Sequence, residues 1–210
     1  MQKEIYFDNS ATTRQYDEVT QLMADVAKNK YGNPSSLHLK GIEAERLIIS
    51  ARETIADLLE AQPQEIYFTS GGTVSNNLAI RGFLDANPRR GKHIITSQIE
   101  HPSVLEIYRQ LEKQGYDVDY ISVDADGMLD ISQLREKLTR NTALISIIIV
   151  NNETGVIQQI DKISAARDEV NPQTVIHADA VQAYGKIRII PEKAGIALLS
   201  ASSHKIHGPK

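Results

Sequence analysis

Residues 143–150 read ALISIIIV, a run that is apolar at every position except Ser146. A strand with one wet face alternates polar and apolar residues. One that is apolar on both sides has to be covered on both faces, as a central strand of a parallel sheet is. EIYFTS (65–70), HIITS (93–97), YDVDYISV (116–123), TVIHAD (174–179) and IALLSAS (196–202) are further β-rich runs. Between them lie helical patterns: GGTVSNNLAIRGFL, PSVLEIYRQLEKQG, DISQLREKLTR and DKISAARDEV. Strands alternating with helices need crossover connections. The expected fold is therefore α/β, a mainly parallel sheet with helices on both faces in three layers, α/β/α.

The beginning of the chain differs. DNSATTRQYDEV and KYGNPSSLH are rich in turn formers and predict loops around one helix, roughly 17–29. GIEAERLIISARETIADLLE then sets Ile42, Leu47, Ile48, Ala51, Ile55, Leu58 and Leu59 at helical spacing, which predicts one buried face. No repeat, low-complexity tract or linker interrupts the sequence, so one domain with an N-terminal extension over it is expected. SSHKIHGPK reads as a turn leading into another element, and the end of the chain there predicts a fragment.

Composition narrows the function. With 23 basic against 27 acidic side chains the formal charge is −4, so neither nucleic acid nor an anionic membrane is an expected partner. No apolar run reaches the roughly 20 residues of a membrane span. The start, MQKEIYFDNSATT, has no apolar signal core, and a cytoplasmic location is expected. Cysteine is absent, which excludes disulfides, thiolate metal sites and a cysteine nucleophile within these residues.

Ligands of open α/β sheets sit beyond the carboxyl ends of the strands. Five such ends are polar here: Ser70-Gly71-Gly72-Thr73, Glu100-His101, Asn151-Asn152-Glu153, Asp179 with Gln182, and Ser202-Ser203-His204-Lys205. Gly72 and Thr73 open a helix and read either as a capped tight turn or as backbone donors for a phosphate. No GKS or GKT follows them, and no GxGxxG is present. Asp179 ends an apolar strand and reads as a helix cap or as the acid beside a protonated ring nitrogen. Lys205 is either a solvated surface lysine or a Schiff-base amine in a desolvated site. His101, before a proline that starts a helix, caps that helix or serves a cofactor ring as a proton shuttle. His177 shares a strand face with Asp179, and His204 and His207 flank Lys205. No metal-ligand spacing joins them, and no metal is expected.

The motifs YFDNSATT, YGNPSSLH, FTSGGTVSNNLAI, TSQIEHPSV, NNETGVIQ, HADAVQAYGK and SSHKIHGPK occur in this order. Together they resemble the cysteine desulfurases, in the class-V branch of fold-type-I pyridoxal phosphate (PLP) enzymes. The resemblance implies a PLP-dependent transferase large domain over 16–210, incomplete at its C-terminal end, behind an extension at 1–15, with the small domain absent. It also implies a homodimer of the full-length protein that takes sulfur from L-cysteine, leaving alanine and an enzyme persulfide. The sulfur would then pass to an acceptor, a scaffold of iron–sulfur cluster assembly or a tRNA-thiolation enzyme.

By motif, Lys205 resembles the Schiff-base lysine, Asp179 the pyridinium partner, and Gln182 the residue bonding the phenolic oxygen. His101 resembles the imidazole stacked on the ring, an acid–base group. Gly72, Thr73, Ser202 and His204 are similar to the phosphate cradle. Asn152 is similar to the asparagine near the phenolic oxygen and substrate carboxylate. Val74 departs from the pattern, standing where the family commonly has glutamate. The resemblance places the sulfur-accepting cysteine and the carboxylate-binding arginine beyond Lys210, so these 210 residues alone are expected to be inactive. A selenocysteine lyase or a class-V aminotransferase would share the motifs. From another class, a noncatalytic truncated remnant that acts as a binding partner is the rival reading.

Overall fold

The computed structural model describes residues 5–210. These divide into two compact units, 5–68 with Ser203–Lys210, and Thr69–Ser202. Residues 1–4 of the expected extension at 1–15 lie outside the described residues.

The second unit holds the sheet. Its strands are β1 (His93–Ser97), β2 (Asp117–Ile121), β3 (Thr142–Ile148), β4 (Val175–Asp179) and β5 (Leu198–Ser200). They lie in the order β2-β1-β3-β4-β5, and every pair is parallel. The doubly apolar run is thus the middle strand, buried at each of its residues.

Successive side chains of a strand point to opposite faces, and the sheet has two cores accordingly. Ile94 and Leu144 pack with Ile80, Leu84, Val104, Ile107, Tyr108 and Leu111. Those partners come from α3 (Gly72–Ala86) and α4 (Pro102–Lys113). Their strand neighbours Ile95 and Ile145 pack instead with Leu134, Ile163 and Ala166. These three belong to α5 (Ile131–Lys137) and α6 (Ile160–Val170). The α/β fold with a helical layer on each face is therefore present.

Gly91, in the turn between α3 and β1, has φ +111°, and a Cβ there would lie 2.3 Å from the carbonyl oxygen of Asn141. Both the backbone conformation and the neighbouring main chain demand glycine. Gly91→Ala is expected to cost about 2 kcal/mol or more, measured as a lower urea midpoint with an unchanged slope.

The first unit contains α1 (Asp17–Asn29), α2 (Leu39–Leu59) and a 3-10 turn at Pro63–Glu65. The predicted helix at 17–29 is found with the same bounds. Two expectations fail. EIYFTS forms no strand: its backbone has no ladder partner among the described residues, and Tyr67 and Phe68 are exposed. A β-rich composition makes a strand only where a second strand is there to pair with it.

The predicted buried face of α2 is the second failure. Only Gly41, Ala44 and Ala56 of that helix are buried, whereas Leu47, Ile48 and Leu58 are exposed. Helical periodicity announces a face that can be buried. Burial itself needs an opposing layer, and the described residues of this unit contain no sheet.

Ser203–Lys210 is tied within the first unit. Thr13 donates from its backbone N–H and its hydroxyl to the carbonyl of His204, each at 2.9 Å. The Tyr16 ring stacks on His207 with centroids 4.3 Å apart. Among the described residues no helix is long and apolar enough to cross a membrane.

Candidate functional site

All five strands are parallel, so their carboxyl ends share one edge of the sheet. Glu100 and His101 follow β1, Asn151 and Asn152 follow β3, Asp179 closes β4, and Ser202 follows β5. Helix α3 begins at Gly72 in the same unit. A Cβ on Gly72 would stand 3.0 Å from Val181 and 3.8 Å from Ser202, so the segments after β4 and β5 both approach the helix start.

Asp179 is 2% exposed. Its Oδ1 accepts from the Val181 N–H at 3.0 Å and its Oδ2 from Asn76 Nδ2 at 2.9 Å. Burying a carboxylate is costly unless strong donors meet it, and here each oxygen has one. Asn76, 1% exposed on α3, also donates to Ser103 Oγ at 3.0 Å. Its Oδ1 is buried without a partner among the described residues.

His101 is the N-cap of α4. Its Nδ1 accepts from the Ser103 N–H at 3.1 Å and lies 2.7 Å from Ser103 Oγ. The capping reading of this residue is therefore realised. A backbone N–H can only donate, so the neutral ring carries its proton on Nε2.

Gly71 precedes α3 as its N-cap and provides no side-chain cap, and the place a Cβ would take there is open. The first N–H groups of a helix have no intrahelical acceptor. The hydroxyls of Thr73 and Ser202 make no hydrogen bond among the described residues. Val74 is 46% exposed on the outer side of the same turn. Gln182 is buried and its Oε1 accepts from Lys186 Nζ at 3.0 Å. Asn152 is half-buried, and its side chain makes no hydrogen bond among the described residues.

The buried member of that asparagine pair is Asn151. Its Nδ2 donates to the Ile99 carbonyl at 3.0 Å, and its Oδ1 accepts from the N–H groups of Glu153 and Thr154 at 2.9 Å each. Asn151 thus fixes the turn that presents Asn152.

In the first unit, His204 Nδ1 lies 3.2 Å from Thr12 Oγ1, and burial together with the charge of Lys205 lowers the pKa of its ring. Lys205 is partly buried in a 3-10 turn (Ser203–Lys205). Its Nζ donates to the carbonyl oxygens of Ser10 and Ala11, the latter at 2.7 Å. DNSATT, rich in turn formers, therefore serves as the acceptor for this amine.

Glu100 and His177 are buried titratable groups that carry no role in the sequence reading. Glu100 is 4% exposed and bridges two strand ends. Its Oε1 accepts from Ser97 Oγ at 2.5 Å and from the Ile148 N–H at 2.8 Å. Burial, with Asp179 adding like charge, pushes its carboxyl up to about 8. His177 is fully buried between Ser146 Oγ at 2.9 Å and Ser200 Oγ at 3.0 Å, and desolvation pushes its ring down to about 3. Strand alternation marks His177 as lying on the face of Asp179. Nothing in the spacing marks the hydroxyls on either side of it, or Asn76 and Ser103.

Comparison with known proteins agrees with the motif order. A cysteine desulfurase IscS from Dictyoglomus turgidum is 45% identical over 210 residues, all of this chain and 53% of that protein. One from Methanosarcina thermophila is 47% identical over 208 residues, 99% of this chain and 51% of its own length. The chain thus spans about half the length of the curated relatives it matches. Among solved structures, a NifS-like protein superposes with a TM-score of 0.96 at 40% identity, over 99% of this chain and 57% of that one. SspA, solved in complex with cysteine, superposes with a TM-score of 0.93 at 40% identity, over 99% of this chain and 59% of its own. Residues 5–210 match the aminotransferase class-V model, and the chain belongs to that family.

Proposed function

We propose that residues 16–210 form the PLP-binding large domain of a cysteine desulfurase, which takes sulfur from L-cysteine and leaves alanine. The observation that carries the reading is Asp179, a carboxylate buried at a strand's carboxyl end with a donor on each oxygen.

The residues present fit this cofactor. Its phosphate needs donors without a protein acceptor, and the start of α3 at Gly72 with the Thr73 and Ser202 hydroxyls offers them. His204 is proposed to join that cradle. Its ring nitrogen needs an acid, and Asp179 is one. Its aldehyde needs an amine, and Lys205 is one. Gln182 and Asn152 are assigned to its phenolic oxygen, and Asn152 also to the substrate carboxylate.

When bound, PLP supplies an electron sink for the electrons released at the substrate Cα. The protein's own tasks are to hold and move protons. Asp179 keeps a negative charge where water is excluded. Lys205 takes up and returns a proton at Nζ, and His101 donates from Nε2, the nitrogen its cap interaction leaves protonated. A homodimer and a sulfur-acceptor protein are the partners this reading implies.

The first test is cofactor attachment. PLP added to the chain is expected to give a visible absorbance band, and borohydride is expected to fix the cofactor onto Lys205, read by peptide mass spectrometry. Lys205→Ala should lose the band. Label at other lysines with Lys205 unmodified would overturn the assignment.

The second test is sulfur release. No cysteine occurs among the 210 residues, so no persulfide can form on them. Incubated with PLP and L-cysteine, the chain should release no sulfide above free cofactor.

A further inference from the structure

Four side chains in the second unit form one continuous line of hydrogen bonds. Asp179 Oδ2 accepts from Asn76 Nδ2 at 2.9 Å. The same Nδ2 donates to Ser103 Oγ at 3.0 Å. Ser103 Oγ lies 2.7 Å from His101 Nδ1, which also accepts from the Ser103 N–H at 3.1 Å.

The direction of donation along this line follows from its first member. An ionised carboxylate only accepts, so the amide group of Asn76 must present its NH₂ to Asp179 rather than its oxygen. That choice fixes which way the amide lies. It also explains why Asn76 Oδ1 is left buried without a partner. The second hydrogen of the NH₂ occupies one lone pair of Ser103 Oγ, and because the Ser103 N–H already makes Nδ1 an acceptor, the hydroxyl turns its hydrogen to His101 Nδ1. Two donors, the hydroxyl and the backbone N–H, then converge on Nδ1 and exclude a proton there. The imidazole proton is held on Nε2.

We infer that Asn76 and Ser103 are positioning residues that transmit the donor–acceptor sense of Asp179 to His101 and fix the His101 ring as its Nε2–H tautomer. The functional value of this rests on the reading of His101 and Asp179 given above, whereas the relay itself is a property of the protein without cofactor. Asn76 is 1% exposed, so its amide has no competing water to reorient it. His101 is exposed, and an exposed imidazole without such partners would exchange freely between tautomers. The relay therefore adds a second donor at Nδ1, beside the Ser103 backbone N–H that already favours a proton on Nε2.

The test uses the chain as it is, labelled with ¹⁵N at histidine, in the pH range where His101 is neutral. In the wild type, Nδ1 of His101 should show the shift of an unprotonated acceptor and Nε2 that of a protonated nitrogen. In Ser103→Ala the ratio of Nε2–H to Nδ1–H should fall roughly tenfold, the worth of one hydrogen bond. Asn76→Ala should lower it in the same direction although it touches no atom of His101. The double variant should go no further than Ser103→Ala alone, since a relay has only one output. Ser103→Thr, which keeps the hydroxyl, should restore the wild-type ratio.

Unchanged shifts in both single variants would overturn the inference, as would a protonated Nδ1 in the wild type or additive effects in the double variant. Ser103 is only half-buried, so Ser103→Ala keeps the test available if Asn76→Ala does not fold. The two claims fail separately. Loss of PLP binding at Lys205 with the tautomer pattern intact would sink the proposed function and leave the relay standing.

Discussion

Glu100→Gln is expected to remove the decline in the stability of this protein between about pH 6.5 and 8. The Glu100 carboxyl is raised from 4.5 to about 8 by burial, with Asp179 adding like charge. Its folded form therefore holds a proton that the unfolded chain releases near pH 4.5. Stability from this group is fully present below the unfolded value and is lost as pH rises toward 8. The span corresponds to roughly 5 kcal/mol if nothing relaxes.

His177 has the opposite sign. Desolvation lowers its ring from 6.5 to about 3, so its contribution is present above 6.5 and is lost as pH falls toward 3. Between about 4.5 and 6.5 the two slopes oppose each other. Their joint contribution is a plateau with a decline on either side. Urea unfolding as a function of pH reads this directly. Glu100→Gln keeps an oxygen for Ser97 Oγ and the Ile148 N–H and should flatten the limb above pH 6.5, while His177→Gln should flatten the acid limb. A decline between about pH 6.5 and 8 that persists in Glu100→Gln would show that another group holds the proton.

Asp179→Asn is expected to weaken PLP retention at least tenfold and to collapse turnover in any assembly that is active. The substitution also has a local cost that needs no cofactor. Asp179 Oδ1 meets the Val181 N–H and Oδ2 meets Asn76 Nδ2, both donors. An amide in its place sets an NH₂ against one of them unless Asn76 turns over, which instead leaves the Asn76 NH₂ where its oxygen now finds no partner. A donor left facing a donor in a buried site costs about 1–3 kcal/mol. Denaturation without cofactor measures this local cost, and PLP titration measures the functional one. Wild-type retention and turnover would remove Asp179 from the role of ring partner.

The sequence shows the sheet of the second unit plainly. HIITS is β1 to the residue, and ALISIIIV announces a central strand because covering both faces demands apolar residues on both. The carboxyl-end rule then points to Glu100-His101, Asp179 and Ser202 from the order of apolar runs and polar ends alone. EIYFTS and the apolar stripe of α2 mislead for the same reason. Their patterns record what a segment could pair with or pack against, and that partner lies outside the segment. Asn76 and Ser103 are silent in the sequence because a polar residue inside a helix resembles any solvated one until its depth is known.

Local pattern alone settled the α/β class, the helix at 17–29 and the strand ends from which polar groups project, because periodicity and turn chemistry act over a few residues. Chain crossings decided the rest. They brought α3 under the end of β4, so that Asn76 meets a carboxylate 103 positions later. They also set Glu100 and His177 in dry surroundings that move their titration away from the ordinary range. Depth and long-range donor pairing arise only when distant segments exclude water together, and no window of sequence carries that information.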